Sequence, residues 1–115
     1  MHIPELVAHR GYALHYPENT LIGIEAAIRA GARYIEVDVQ LSADKVPVLF
    51  HDRTLDRLCR VEGTIHRYTR EELKAFHVFE FERFGYKFAQ NPITTLAELG
   101  ALLARHPQVT AFIEL

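Results

Sequence analysis

Tyr34-Ile35-Glu36-Val37-Asp38-Val39-Gln40-Leu41 is the stretch that decides the fold. Ile35, Val37, Val39 and Leu41 alternate with Tyr34, Glu36, Asp38 and Gln40. A period of two is the mark of a strand with one apolar and one polar face. Glu36 and Asp38, two residues apart, therefore point to the same side. Two carboxylates held together in a partly buried setting repel, and their desolvation is costly. Protonation, basic partners or a metal ion relieves that cost. A solvated edge strand also carries E-x-D, so the weight of the pair rests on its surroundings.

Upstream, Leu6-Val7-Ala8 is a short apolar run ending at His9, with Arg10 and a turn-permitting Gly11 behind it. Asn19 or Thr20 is placed to cap a helix in which Leu21, Ile24, Ala27 and Ile28 recur at helical spacing, and Gly31 closes it. Strand, loop and helix followed by a second strand make a βαβ unit. Downstream, Ser42-Ala43-Asp44-Lys45 is too short for a helical crossover to the next apolar run, Val46-Pro47-Val48-Leu49-Phe50-His51. Two routes fit: an extended return to the same rim, or a hairpin turning at Ala43-Asp44 that sets Glu36 opposite His51.

Residues 53–92 lack steady periodicity. Thr69-Arg70-Glu71-Glu72 is a capping box opening a short helix. Phe76, Phe79, Phe81, Phe84, Tyr86 and Phe88 suggest a small aromatic core in an inserted subdomain or lid. Thr95-Leu96-Ala97-Glu98 is a second capping box, with Leu96, Leu99, Leu102 and Leu103 as a buried stripe and His106-Pro107 as the stop. Val109 to Leu115 is an apolar strand interrupted by Glu114.

Glu114 inside an apolar strand, together with His9, Arg10 and His51 at strand ends, converts the E-x-D pair into a candidate site. Three carboxylates without sulfur ligands suit Mg²⁺ or Ca²⁺ better than zinc. Functional groups of barrel and open α/β folds gather at the C-terminal ends of strands. Two histidines beside such a site are suited to acid–base work, because imidazole titrates near neutrality. Arg10 carries a planar fork that matches a pair of phosphate oxygens; its plainer reading is a salt bridge to Glu36 or Glu18. His2, His15, His66, His77 and His106 read as surface or loop residues, and Cys59 as a packing residue.

The chain has 115 residues and a formal net charge of −2. That length suits one domain, whereas an eight-stranded β/α barrel needs about 250 residues. The near-neutral charge gives no electrostatic case for nucleic acid or an anionic membrane surface. No apolar run approaches the ~20 residues of a membrane span. A single cysteine and an N-terminus without a basic-then-apolar pattern fit a reducing, cytoplasmic compartment.

In order, the sequence carries His9-Arg10-Gly11, Pro17-Glu18-Asn19-Thr20, Glu36-x-Asp38, Pro47-Val48-x-x-His51-Asp52 and Ile113-Glu114-Leu115. This series resembles the glycerophosphodiester phosphodiesterase family over nearly the whole chain. The resemblance implies the N-terminal part of an α/β TIM barrel, with residues 1–52 and 93–115 in the barrel and an insertion after the third strand at approximately 53–92. It implies metal-dependent hydrolysis of a glycerophosphodiester to an alcohol and glycerol 3-phosphate, within lipid and glycerol metabolism. By the resemblance, Glu36, Asp38 and Glu114 bind one divalent cation, Mg²⁺ or Ca²⁺, His9 and His51 are the acid–base pair, and Arg10 holds the phosphate. Direct attack by water and attack by the glycerol hydroxyl through a cyclic phosphate both satisfy it. Lys45 stands where the family often carries glycine, and Thr94 where proline is common. The chain stops before the lysine that usually follows I-E-L. Alternatives are a related lipid phosphodiesterase of sphingomyelinase-D type and a non-catalytic part-barrel that needs a partner. An open barrel edge then leads to self-association.

Overall fold

The computed structural model describes residues 7–115. The call of a strand starting at Leu6, the N-terminal leader reading and His2 lie outside them. The first strand, β1, is Val7–His9, helix α1 is Leu21–Arg29, and the alternating stretch is β2, Tyr34–Leu41. β3 is Pro47–Leu49. Short helices follow at Asp56–Cys59 (α2), Arg70–Leu73 (α3) and Phe81–Phe84 (α4), with a 3-10 turn at Ile65–Arg67. Helix α5, Leu96–Ala104, leads into β4, Thr110–Glu114.

Each long helix starts where its sequence offers a cap. The Thr20 hydroxyl accepts from Gly23 N, so of the two candidates Thr20 is the cap. Gly31, at φ 101°, turns the chain out of α1. The Thr95–Glu98 capping box of α5 is complete, as is Thr69–Glu72 of α3. α1 buries Gly23, Ile24 and Ala27, and α5 buries Leu99 and Leu102. These pack on Ala8, Ile35, Val37 and Val39 of the sheet. Burial of each large aliphatic side chain contributes about 1.5–3 kcal/mol.

β2 is the hub. β1 pairs parallel to it as Val7↔Tyr34, Ala8↔Ile35 and His9↔Glu36. β4 pairs parallel on the other side, from Tyr34↔Thr110 to Asp38↔Glu114. The last three residues of β2 pair antiparallel with β3, as Val39↔Leu49, Gln40↔Val48 and Leu41↔Pro47. The link between them is thus a hairpin and not an extended return. Its register differs by one residue from the expected one. Ser42 N donates to Val46 O across a loop with Lys45 at φ 67°, and Phe50 N donates to Asp38 O, where the expected register would set Leu49 opposite Asp38. Parallel pairing among the described residues is confined to β1, β2 and β4. The open edge of β4 leaves Phe112 and Ile113 about half exposed, at 52% and 46%.

Residues 53–92 bury a second core, but an aliphatic one. Leu55, Leu58, Cys59, Ile65, Leu73 and Val78 pack with Val48 and Phe50 of the hairpin and with Ile93. Only Phe76 and Tyr68 of the aromatics border it. Phe79, Phe81 and Tyr86 pack on one another, and Phe84 and Phe88 pair edge to face. The expected aromatic core is instead a set of ring clusters in which Phe88 is buried, Phe79, Phe81 and Phe84 are partly exposed and Tyr86 is exposed. Aromatic rings lacking a fixed period cover a surface as readily as they fill an interior. Cys59 is buried, and burial pushes its thiol up to about 12, as a packing residue requires.

Candidate active site

The strand registers build the site. Residues level with one another in a parallel ladder point to the same face. His9 is level with Glu36, and Asp38 is level with Glu114. Glu36 and Asp38 share a face because they are two apart on one strand. The four side chains are thereby brought to one patch at the C-terminal ends of β1, β2 and β4. One carboxylate oxygen from each of Glu36, Asp38 and Glu114 lies within 4.8 Å of the others. Convergence of these three was anticipated from the alternation in β2 and the isolated acid in β4.

The loop after β1 closes over this patch. Arg10, at φ 56°, donates its backbone N–H to Glu36 O at 2.6 Å. Gly11 follows at φ 83°, where a Cβ would meet Ile24 N at 3.0 Å, so no other residue fits without a shift. Asn19, also left-handed at φ 55°, donates its backbone N–H to Arg10 O. Its side chain grips Asp38 twice: Nδ2 donates to Oδ2 at 3.1 Å, and Oδ1 accepts from Asp38 N at 3.2 Å. Asn19 thus orients Asp38, which the sequence did not reveal beyond the motif containing it.

Arg10 lies between two acids. Its Nη1 is 3.3 Å from Glu18 Oε2, and its Nε is 3.1 Å from Asp38 Oδ2 without hydrogen-bond alignment. The salt bridge read from the sequence is present to Glu18, not to Glu36. His9 Nδ1 is 2.8 Å from Glu36 Oε2, and the His9 side chain is 68% exposed. Both Glu36 oxygens are buried and lack an aligned hydrogen-bond donor among the described residues. Burial and the neighbouring Asp38 hold the Glu36 carboxyl above its usual range, His9 opposes them, and Glu114 adds to the rise. A divalent cation fits this donor set. It would satisfy the orphaned oxygens and offset both the burial and the carboxylate repulsion that raise Glu36.

His51 lies in the same cavity as Asp38 and Glu114, a space of about 410 Å³ also lined by Gln40, Phe50 and Arg53. A groove of about 470 Å³ between α1 and α5 is larger but has neither a histidine nor any of the three carboxylates in its walls. Gln40 Nε2 donates to Phe50 O and Asp52 O, fixing the backbone on either side of His51. His51 Nδ1 is 3.1 Å from Asp52 Oδ1. Arg57 grips Asp52 through Nε at 2.8 Å and Nη2 at 3.0 Å, and holds the Asp52 carboxyl below its usual range. Asp52, Arg57 and the buried Glu80 behind them were not foreseen. The Asp52 adjacent to His51 was the available signal, but Glu80 is remote in sequence. His15 and His66 are exposed and His77 and His106 are partly exposed, as expected of surface or loop residues.

The parallel strands thus gather three converging carboxylates and His9 on one patch, and His51, expected at the end of a strand, lies two residues beyond the antiparallel β3 on the same cavity. Residues 9–115 match the Glycerophosphoryl diester phosphodiesterase family, and the chain belongs to that family. It is 41% identical over 98 residues to a glycerophosphodiester phosphodiesterase of Caldanaerobacter subterraneus subsp. tengcongensis, covering 85% of this chain and 40% of that protein. It is 35% identical over 108 residues to glycerophosphodiester phosphodiesterase 1 of Mus musculus, covering 94% of this chain and 32% of that one. The fold superposes on an Oleispira antarctica phosphodiesterase solved with its product sn-glycerol-3-phosphate, with TM-score 0.86 and 32% identity over 96% of this chain and 44% of the other. A Thermotoga maritima glycerophosphodiester phosphodiesterase matches with TM-score 0.77 and 33% identity over 98% and 44%. The chain thus spans less than half the length of these relatives. None of the described helices is long and apolar enough to cross a membrane.

Proposed function

We propose that the protein hydrolyses glycerophosphodiesters to an alcohol and glycerol 3-phosphate with the aid of one divalent cation. The observation that carries this is the convergence of Glu36, Asp38 and Glu114 beside His9, with His51 on the same cavity. Glu36, Asp38 and Glu114 would hold Mg²⁺ or Ca²⁺, the oxygen-only donor set such ions prefer. When bound, the ion polarises a non-bridging phosphate oxygen and offsets developing negative charge. Arg10, steadied by Glu18 and Asp38, turns its remaining N–H groups to the phosphate. One of His9 and His51 takes the proton of the attacking nucleophile, water or the glycerol hydroxyl, and the other returns a proton to the leaving alkoxide; where the glycerol hydroxyl attacks, water then opens the cyclic phosphate to glycerol 3-phosphate.

In this reading residues 53–92 are an insertion following β3 and interrupting the barrel between the parallel strands β2 and β4. The antiparallel run of β3, which leaves the parallel ladder, supports it. The lone buried Cys59 supports a reducing, cytoplasmic setting. The open edge of β4 favours a second reading, in which these residues act only when further strands cover that edge. An uncovered edge of this kind also promotes self-association.

The test is release of glycerol 3-phosphate from glycerophosphodiesters by a catalytically competent form of the protein, with and without EDTA. His9→Ala and His51→Ala should each lower kcat by roughly 10²–10⁴. Metal affinity should stay nearly unchanged. Near-normal turnover in either variant removes that histidine from the mechanism.

A further inference from the structure

We propose that Arg57 is a positioning residue for His51, acting through Asp52. The inference rests on the reading above, in which the His51 ring moves a proton. Arg57 is supplied by α2, outside the parallel strands, and its guanidinium is the hub of three carboxylates. Nε and Nη2 meet the two oxygens of Asp52 at 2.8 and 3.0 Å. Nη2 is also 3.0 Å from Glu18 Oε2, and Nη1 is 3.8 Å from Glu80 Oε2. Glu80 is almost wholly buried, and Arg83 pairs with it while donating to Ala13 O at 2.6 Å. The far end of the guanidinium is therefore anchored by groups that are themselves held.

A carboxylate can rotate about its Cβ–Cγ bond. A two-pronged grip removes that freedom, because both oxygens must stay in the guanidinium plane. With Asp52 fixed in this way, Oδ1 is directed at His51 Nδ1, 3.1 Å away. An ionised carboxylate only accepts, so the neutral ring keeps its proton on Nδ1 and leaves Nε2 bare. A bare Nε2 is what a proton acceptor needs. Free neutral imidazole side chains favour the opposite tautomer, so the bias is a specific product of the Asp52 contact.

The arrangement also explains a second acidic group. Ligand atoms of Glu18, His51 and Asp52 lie within 4.8 Å of one another, as those of a metal site would. The Arg57 charge already stands among them, so the positive charge these groups call for is supplied by the chain itself. Glu18 Oε2 is shared between Arg57 and Arg10, so the same acid steadies the phosphate arm and the histidine support.

The bland alternative is that Arg57 only ties residues 53–92 to the sheet. It is separated by a readout that tethering does not move, the tautomer of His51. The 115-residue chain, labelled with ¹⁵N-histidine, is examined by NMR at about pH 8.5, some two units above the ordinary imidazole value. The wild-type His51 ring should be mainly Nδ1-protonated. In Arg57→Ala the preference should reverse to mainly Nε2-protonated, and Arg57→Lys, which keeps the charge but not the fork, should fall between. An Nε2-protonated wild-type ring overturns the proposal, and so does an unchanged ratio in either folded variant. Should Arg57→Ala fail to fold, Arg57→Lys alone decides by the same criterion. In a catalytically competent form, Arg57→Ala should lower kcat by roughly 10-fold or more with little change in KM, since supporting partners of this kind matter at that scale. A reversed tautomer with unchanged turnover would support the positioning of His51 and count against its part in catalysis.

Discussion

Replacing Glu36 with Gln should stabilise the metal-free chain while sharply reducing its stabilisation by metal. The two effects have opposite signs and one cause. Glu36 lies within 4.8 Å of both Asp38 and Glu114. Two unit charges at that separation repel by about 1 kcal/mol at the dielectric of water and by about 3.5 kcal/mol at the effective value near 20 found for protein sites. The site opens onto a cavity and Glu114 is exposed, so the lower end applies to that pair. His9, 2.8 Å from Glu36, offsets part of the repulsion when it is charged. A net gain of about 1 kcal/mol follows, or about 4 °C in the unfolding midpoint of a domain of this size. With a divalent cation at 100 times its dissociation constant, the wild type should gain about 2.7 kcal/mol. The variant, short of one charged ligand, should gain far less. Thermal unfolding of both chains, in EDTA and in a titration of Mg²⁺ or Ca²⁺, measures all four terms. A variant that is less stable than wild type in EDTA, and that gains as much from the cation, would refute the reasoning.

Three further outcomes are expected. The Arg57 grip depresses Asp52 below its ordinary value, so its contribution to stability is present above the unfolded-state value near 3.8 and is lost as pH falls through the lower folded-state value. Acid unfolding between about pH 4 and pH 2 should therefore be steeper in the wild type than in Asp52→Asn, and equal slopes would contradict this. Lys45 occupies the left-handed region at φ 67°, so Lys45→Gly should stabilise by about 0.5–1 kcal/mol in chemical denaturation, and a loss of stability would show that the lysine side chain matters more than its backbone. The 115-residue chain alone should show little phosphodiester turnover and should associate with rising concentration in sedimentation, because Glu114 lies on a strand with one covered edge; brisk turnover by a monodisperse monomer would contradict this.

Much of this molecule is written locally. The alternation of residues 34–41, the caps at Thr69 and Thr95 and the glycine after α1 depend on near neighbours and could be read from the chain, as could the α1 cap to within the pair Asn19 and Thr20. The grouping of Glu36 with Asp38 is equally local, being a matter of strand period. What could not be read is register between distant segments. Nothing near Glu114 states that it stands level with Asp38, or that the hairpin is offset by one residue. Register follows from how α1, α5 and the hairpin pack on the two cores, which is a property of the whole fold. The Arg57 network escaped for the same reason, since it draws on Glu18, Asp52 and Glu80 from three segments. Lys45 and Thr94 gained meaning only with the backbone in view: Lys45 sits where glycine would be at ease, and Thr94 Oγ1 accepts from Leu21 N at the start of α1.

The claim on which the account turns is that Glu36, Asp38 and Glu114 hold one divalent cation beside His9. Its most direct test is a crystal structure grown with Mn²⁺ as a stand-in for Mg²⁺ or Ca²⁺, with anomalous scattering recorded for the metal. The account predicts one strong peak at about 2.0–2.6 Å from a carboxylate oxygen of each of the three residues. A peak elsewhere, or none at saturating Mn²⁺ with the three carboxylates still converged, would contradict it.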